Sequence, residues 1–112
     1  MSTTFTSHKA EVLSAEQAAR NRALEIIGGK AETYAKRLCP VKTGRLRNSI
    51  THQQYDDHTE VIGTNVEYAP YVELGHHTST GKHIPGKPYL RPAAENHSSE
   101  YRDIIEAIMK NA

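Results

Sequence analysis

The chain has 112 residues and a formal net charge of +1, from 14 Lys and Arg against 13 Asp and Glu. That balance excludes a global electrostatic pull toward nucleic acid or acidic membranes. Hydrophobic residues make up 37%, with six Tyr, one Phe and no Trp, so one domain of this length has a thin core of Leu, Ile, Val, Ala and Tyr and is expected to bury further surface in an oligomer.

No run approaches the length of a membrane span, and the N-terminal Met-Ser-Thr-Thr-Phe-Thr-Ser-His lacks the apolar centre of a secretory leader. Cys39 is the single cysteine, which rules out an intrachain disulfide and fits a reducing compartment. Beside Leu38 at a helix end, it reads as a buried thiol rather than a nucleophile.

Residues 1–8 are Ser/Thr-rich and expected to be flexible. A helix is expected from about His8 or Lys9, with Ser7 as its cap. Leu24, Ile27, Ala31, Tyr34 and Leu38 recur at three and four, the period of one helical face. Gly28-Gly29 costs roughly 2 kcal/mol relative to alanine, yet the apolar phase continues across it, which predicts one bent helix. The section before Leu24 has a weak apolar face and is expected to order on a partner.

Pro40 stops this helix, and Gly44 offers a position where positive φ is free of cost. Between and beyond them, Lys42, Arg45 and Arg47 make a basic loop. The alternation of Leu46, Asn48 and Ile50 predicts the start of a strand that continues to Tyr55. Asp56-Asp57-His58 reads as a turn, and 59–64 returns as a second strand, giving an antiparallel hairpin. Pro70 fits the first turn of a short helix that Gly75 ends. Residues 76–87 read as an exposed loop closed by Pro85-Gly86-Lys87-Pro88. From about Tyr89 to Lys110, Leu90, Ala94, His97, Tyr101, Ile104 or Ile105, and Ile108 predict one amphipathic helix. The expected architecture is a single α+β domain over 1–112, with a long N-terminal helix, a small antiparallel sheet, a short middle helix and a C-terminal amphipathic helix.

Charge is unevenly distributed. Residues 30–47 hold Lys30, Lys36, Arg37, Lys42, Arg45 and Arg47 against Glu32 alone, whereas 56–73 holds Asp56, Asp57, Glu60, Glu67 and Glu73 and neither Lys nor Arg. Ordinary solvated faces explain this, as do complementary faces of a head-to-tail ring.

Three stretches carry a family resemblance. Pro-Val-Lys-Thr-Gly-Arg-Leu-Arg-Asn-Ser-Ile at 40–50 resembles the Pro-Val-Asp-Thr-Gly-Arg-Leu-Arg-x-Ser-Ile signature of a tailed-phage neck and tail-component family. Residues 61–75 resemble its Val-Gly-x-x-x-x-Tyr-Ala-x-Tyr-x-Glu-x-Gly block, and Pro-Tyr-Leu-Arg-Pro-Ala at 88–93 is similar to its Pro-Phe-Leu-Arg-Pro-Ala. Lys42 departs from the pattern where an acid is common. The resemblance implies a small α+β virion protein of the head–tail junction, a head–tail joining or tail-completion component made in the host bacterial cytoplasm. It implies a homo-oligomeric ring that contacts other neck and tail proteins.

Other chemistries are weaker. His76, His77 and His83 share one loop, with His52 and His58 in the hairpin, but the spacing is irregular and no metal or other cofactor is expected. Cys39 with a histidine lacks the base and oxyanion hole of a thiol hydrolase, so no enzyme, catalytic residue or small-molecule substrate is expected. The basic loop 42–47 could instead serve a small nucleic-acid-binding module, or touch packaged DNA in passing, though aromatic interleaving is sparse. The expected protein interface comprises Lys42, Arg45, Arg47, Glu67, Tyr68, Tyr71, Glu73 and Arg91, with Val66 and Leu74 in the apolar patch, and no membrane.

Overall fold

A computed structural model describes residues 2–41 and 44–111, with side chains from Ala15 onward. Lys42 therefore lies outside the described residues. Helix α1 (Ser2–Leu38) starts ahead of the expected His8 and runs through Gly28-Gly29 without a break. At 1.5 Å per residue it is about 55 Å long, the dominant part of a molecule measuring 76 × 22 × 22 Å.

The buried stripe of α1 is made of small residues. Ala19, Ala23, Ala31 and Ala35 are buried, with Leu24 and Cys39, whereas Leu38 is exposed. The contact face is thus turned toward Ala31, Ala35 and Cys39, four apart, with Tyr34 on its flank. Small side chains win because other elements press close to the helix backbone.

Helix α2 (Arg45–Ser49) follows Gly44, whose φ of 84° is left-handed. This corrects the expected strand start. Leu46 and Ile50 are both buried while Asn48 between them is exposed; residues four apart share a face in a helical turn and in a strand, but a strand would have buried Asn48 with them.

The main hairpin pairs β1 (Thr51–Asp56) with β2 (Thr59–Gly63), antiparallel, matching His52 with Ile62 and Gln54 with Glu60, with a bulge between Gln54 and Asp56. Asp56 Oδ1 accepts the His58 amide at 2.8 Å and shapes the turn. The side chains of His52, Gln54, Glu60 and Ile62 share one face, which packs on α1; Val61 and Tyr55 are exposed. At the tip, Gln54 donates to Asn21 and Gln17 to Asp57.

Helix α3 (Ala69–Leu74) carries Pro70 in its first turn and ends at Gly75, as expected. The expected loop 76–87 instead contains a second hairpin, β3 (Gly75–His77) with β4 (His83–Pro85). Its reversal is closed by Thr78, whose amide donates to Lys82 and whose carbonyl accepts from Gly81, a glycine at φ 86°. The expected single terminal helix is two, α4 (Leu90–Glu95) and α5 (Ser98–Lys110). The break falls at Asn96 and His97, where the His97 ring stacks on Tyr34 of α1, 3.7 Å between centroids, and the Tyr101 hydroxyl donates back to the Ala93 carbonyl at 2.6 Å.

The core lies where the C-terminal end of α1 meets α2, α3 and α4. Ala35, Cys39, Leu46, Ile50, Val66, Ala69, Tyr89 and Ala93 form it, with Tyr68, Val72 and Leu90 packed against it. The fold is α+β.

Candidate functional site: an apolar groove on the α3–hairpin face

Among the described residues, seven large apolar side chains are exposed, and the two on α3 stand close together in sequence. Tyr71 is 58% exposed and Leu74 78%. Gly75 and Gly86 explain how they are held there. A Cβ on Gly75 would come within 2.6 Å of the Ile84 carbonyl oxygen, and one on Gly86 within 2.5 Å of the Glu73 carbonyl oxygen. The two glycines let the small hairpin fold directly onto the end of α3. The Lys87 amide, donating to the Val72 carbonyl at 2.7 Å, fastens it. Between the two elements lies an open groove of about 610 Å³, walled by Pro40, Tyr68, Tyr71, Val72, Ile84 and Pro85. Pro40 brings the end of α1 to it, and the next residue, Val41, is exposed.

The charged residues expected at an interface are mostly paired within the chain while remaining exposed; among those described only Glu73 is partly buried. Arg45 pairs with Glu67 through two contacts of 3.3 and 3.1 Å, and its guanidinium lies 5.5 Å from the Tyr68 ring centroid. The Glu67 backbone amide, and then Arg45, hold the Glu67 carboxyl below its ordinary value. Glu73 accepts the Tyr89 and Leu90 amides at 3.2 and 2.8 Å, so it ties α3 to the start of α4. Arg91 pairs with Glu95 one turn along the same helix. Arg47 is exposed. Tyr68 and Tyr71 share the groove; Arg91 does not line it. Cys39 is buried, as expected, and burial pushes its thiol up.

Pro40, Val72 and Ile84 carry no sequence signal as groove walls, because the hairpin that makes the groove has strands of three residues, too short to show a period. The sequence offers His52 only beside the other histidines, whereas the structure groups it with Glu25 and Glu60, three residues among those described whose ligand atoms lie within 4.8 Å of one another. The loop histidines do not assemble so tightly. His77 and His83 face each other across β3–β4, both exposed, with rings 4.9 Å apart, and His76 meets the edge of Tyr71.

Comparison with known families decides the assignment. The profile of the HK97-gp10-like family, described as a bacteriophage HK97 gp10 tail component, matches residues 5–75. The chain belongs to the HK97-gp10-like family. It is accordingly a structural component of a phage tail, a virion protein in contact with other tail proteins. The match takes in α1, the Pro40–Ile50 stretch and α3, while the 88–93 block lies beyond it. No curated protein and no solved structure matches the chain. Among the described residues of this HK97-gp10-like chain, no helix is long and apolar enough to cross a membrane.

Proposed function

We propose that this tail component is a ring-forming subunit of the head–tail junction, a single-domain neck or tail-completion protein that works by protein–protein contact without catalysis. The observation that carries the reading is the apolar groove with exposed Tyr71 in its wall, together with exposed Leu74 on the same short helix. Exposed aromatic and large aliphatic side chains flanking a concave apolar surface are what a subunit contact requires. The occupant is a neighbouring copy of this chain, seated head to tail.

Charge plays the smaller part. Of the five acids in 56–73, Glu60 is buried against His52, Glu67 is met by Arg45 and Glu73 by the α4 backbone. That leaves Asp56 and Asp57 at the hairpin tip, where backbone and Gln17 contacts engage them. Basic charge at the exposed Arg37 and Arg47 steers the encounter rather than holding the assembly, while Lys36 is taken up by Glu32 at 3.2 Å. The same pairing of Arg45 lowers the charge that a nucleic-acid-binding loop would need.

The test is light scattering and negative-stain imaging of the pure full-length protein. Rings or discrete oligomers are expected. Tyr71→Ser with Leu74→Asp should abolish them while circular dichroism still reports the native helix content. Each such contact contributes about 2 kcal/mol or more, so self-association should weaken by roughly 30-fold or more per side chain. A strict monomer that neither self-assembles nor joins heads or tails would sink the proposal, as would a double variant that assembles like the parent.

A further inference from the structure

The β1–β2 hairpin presses on α1 at Gly28, and an unusual polar cluster lies at that contact. Glu60 projects from β2 and its side chain is only 5% exposed. Both Glu60 oxygens and His52 Nδ1 are buried without a hydrogen-bond partner among the described residues. His52 Nδ1 faces Glu60 Oε1 at 3.7 Å, and His52 Nε2 faces Glu25 Oε1 of α1, also at 3.7 Å. Buried polar atoms are satisfied in native proteins as a rule, and a buried carboxylate is paired or coordinates a cation. Separations of 3.7 Å are too long for direct hydrogen bonds. The Nδ1–Glu60 separation is close to the roughly 3.4 Å between ligand atoms placed about 2.1 Å from one tetrahedral ion, whereas Glu25 stands on the side of the other ring nitrogen and must move to share that ion.

We propose that Glu25, His52 and Glu60 form a structural divalent-metal site between α1 and the β1–β2 hairpin, suited to a Zn²⁺-class ion. Glu60 and His52 Nδ1 are the fixed ligands, held by register: Glu60 pairs with Gln54, and His52 lies on the same strand face two residues away. Gly28 forms the back wall. A Cβ there would lie 2.5 Å from His52 Nδ1 and 2.7 Å from Glu60 Cγ. Glu25, 72% exposed, is the mobile arm. It swings in as third ligand, and its open side admits the ion and a water as fourth. One imidazole and two carboxylates are borderline-to-hard donors, which favours Zn²⁺ over the thiolate-seeking ions and over Mg²⁺, which prefers an all-oxygen sphere. Such an ion would rivet the hairpin to the long helix, a role separate from the groove.

Zn²⁺ alone serves as the probe, added to the full chain and followed by calorimetry and thermal melting. One equivalent should bind, and saturation should raise Tm by roughly 5–10 °C. Glu60→Gln tests the buried ligand. Should that variant fail to fold, Glu25→Gln, at an exposed position, tests the same site and should weaken Zn²⁺ binding by about tenfold or more. Binding should survive His77→Ala with His83→Ala, which removes the cross-strand pair of the small hairpin. Absence of binding and of any Tm shift would overturn the site. So would binding that persists undiminished in Glu25→Gln, or that disappears with His77 and His83.

Discussion

Tyr89 shows how one atom bears on stability. The side chain is fully buried in the core, and its hydroxyl has no hydrogen-bond partner among the described residues. Burial, with Cys39 and Glu73 nearby, pushes the phenol up to about 12. The ring is needed, since it fills the space between α1, α3 and α4, but the hydroxyl is desolvated with nothing in return. The family signature that 88–93 resembles carries Phe at this place. Tyr89→Phe keeps the ring and removes the orphan group, and an unsatisfied buried polar atom costs about 1–3 kcal/mol. The variant is expected to be more stable by about 1 kcal/mol, read as a higher midpoint in urea with an unchanged slope. A loss of stability would mean that the hydroxyl has a partner after all.

The two adjacent glycines of α1 separate helix propensity from packing. In a helix interior, Gly costs about 1 kcal/mol relative to Ala, so substitution at either position should help if propensity alone counted. At Gly29 the nearest atom to an added Cβ is 4.0 Å away, and Gly29→Ala should stabilise by up to about 1 kcal/mol. At Gly28 the Cβ would strike His52 and Glu60, both pinned by burial. Gly28→Ala should therefore destabilise by about 1–3 kcal/mol through overpacking, and paired thermal melts give the two signs directly. From the sequence, Gly28-Gly29 reads as a bend, because the chain shows the cost of glycine and hides the hairpin that approaches it. The same limit shaped other elements. Apolar spacing was enough for α1, the β1–β2 hairpin and α3, where one period runs long enough or a turn is marked. It failed at Leu46 and Ile50, whose separation suits a strand or a helical turn equally, and at 76–87, where three-residue strands carry no period. Of the expected interface residues, Arg45 meets Glu67 and Tyr68, Tyr68 and Tyr71 line the groove, and Glu73 meets the Tyr89 and Leu90 amides. Their direction was not legible, since only tertiary structure decides whether Glu73 meets a neighbour or the amides of α4.

At the scale of the whole molecule, the first and last helices are clasped by a cluster that no local pattern announces. The Tyr34 hydroxyl donates to Glu100 at 2.7 Å, Lys30 reaches the same carboxylate at 3.2 Å, and His97 stacks on Tyr34. Tyr34 first, and Lys30 after it, hold the Glu100 carboxyl below its ordinary 4.5, and the same hydrogen bond pushes the Tyr34 phenol up. A carboxyl whose folded pKa lies below its unfolded one binds fewer protons in the folded state. It contributes stability that is fully present above about 4.5 and is lost as pH falls through the lower folded value. Acid should therefore loosen α5 from α1. Glu100→Gln keeps an acceptor for Tyr34 but removes the charge. It is expected to be less stable than the parent near pH 7, with the gap closing as the pH is lowered toward about 3. Tyr34→Phe, which removes the main donor, should narrow the parent's pH dependence in the same direction. Urea melts of the three proteins across that range measure it. A gap that stays constant or widens in acid would mean that Glu100 titrates alike in the folded and unfolded chain. The clasp would then hold the helices by stacking and hydrogen bonding, with the charge contributing nothing.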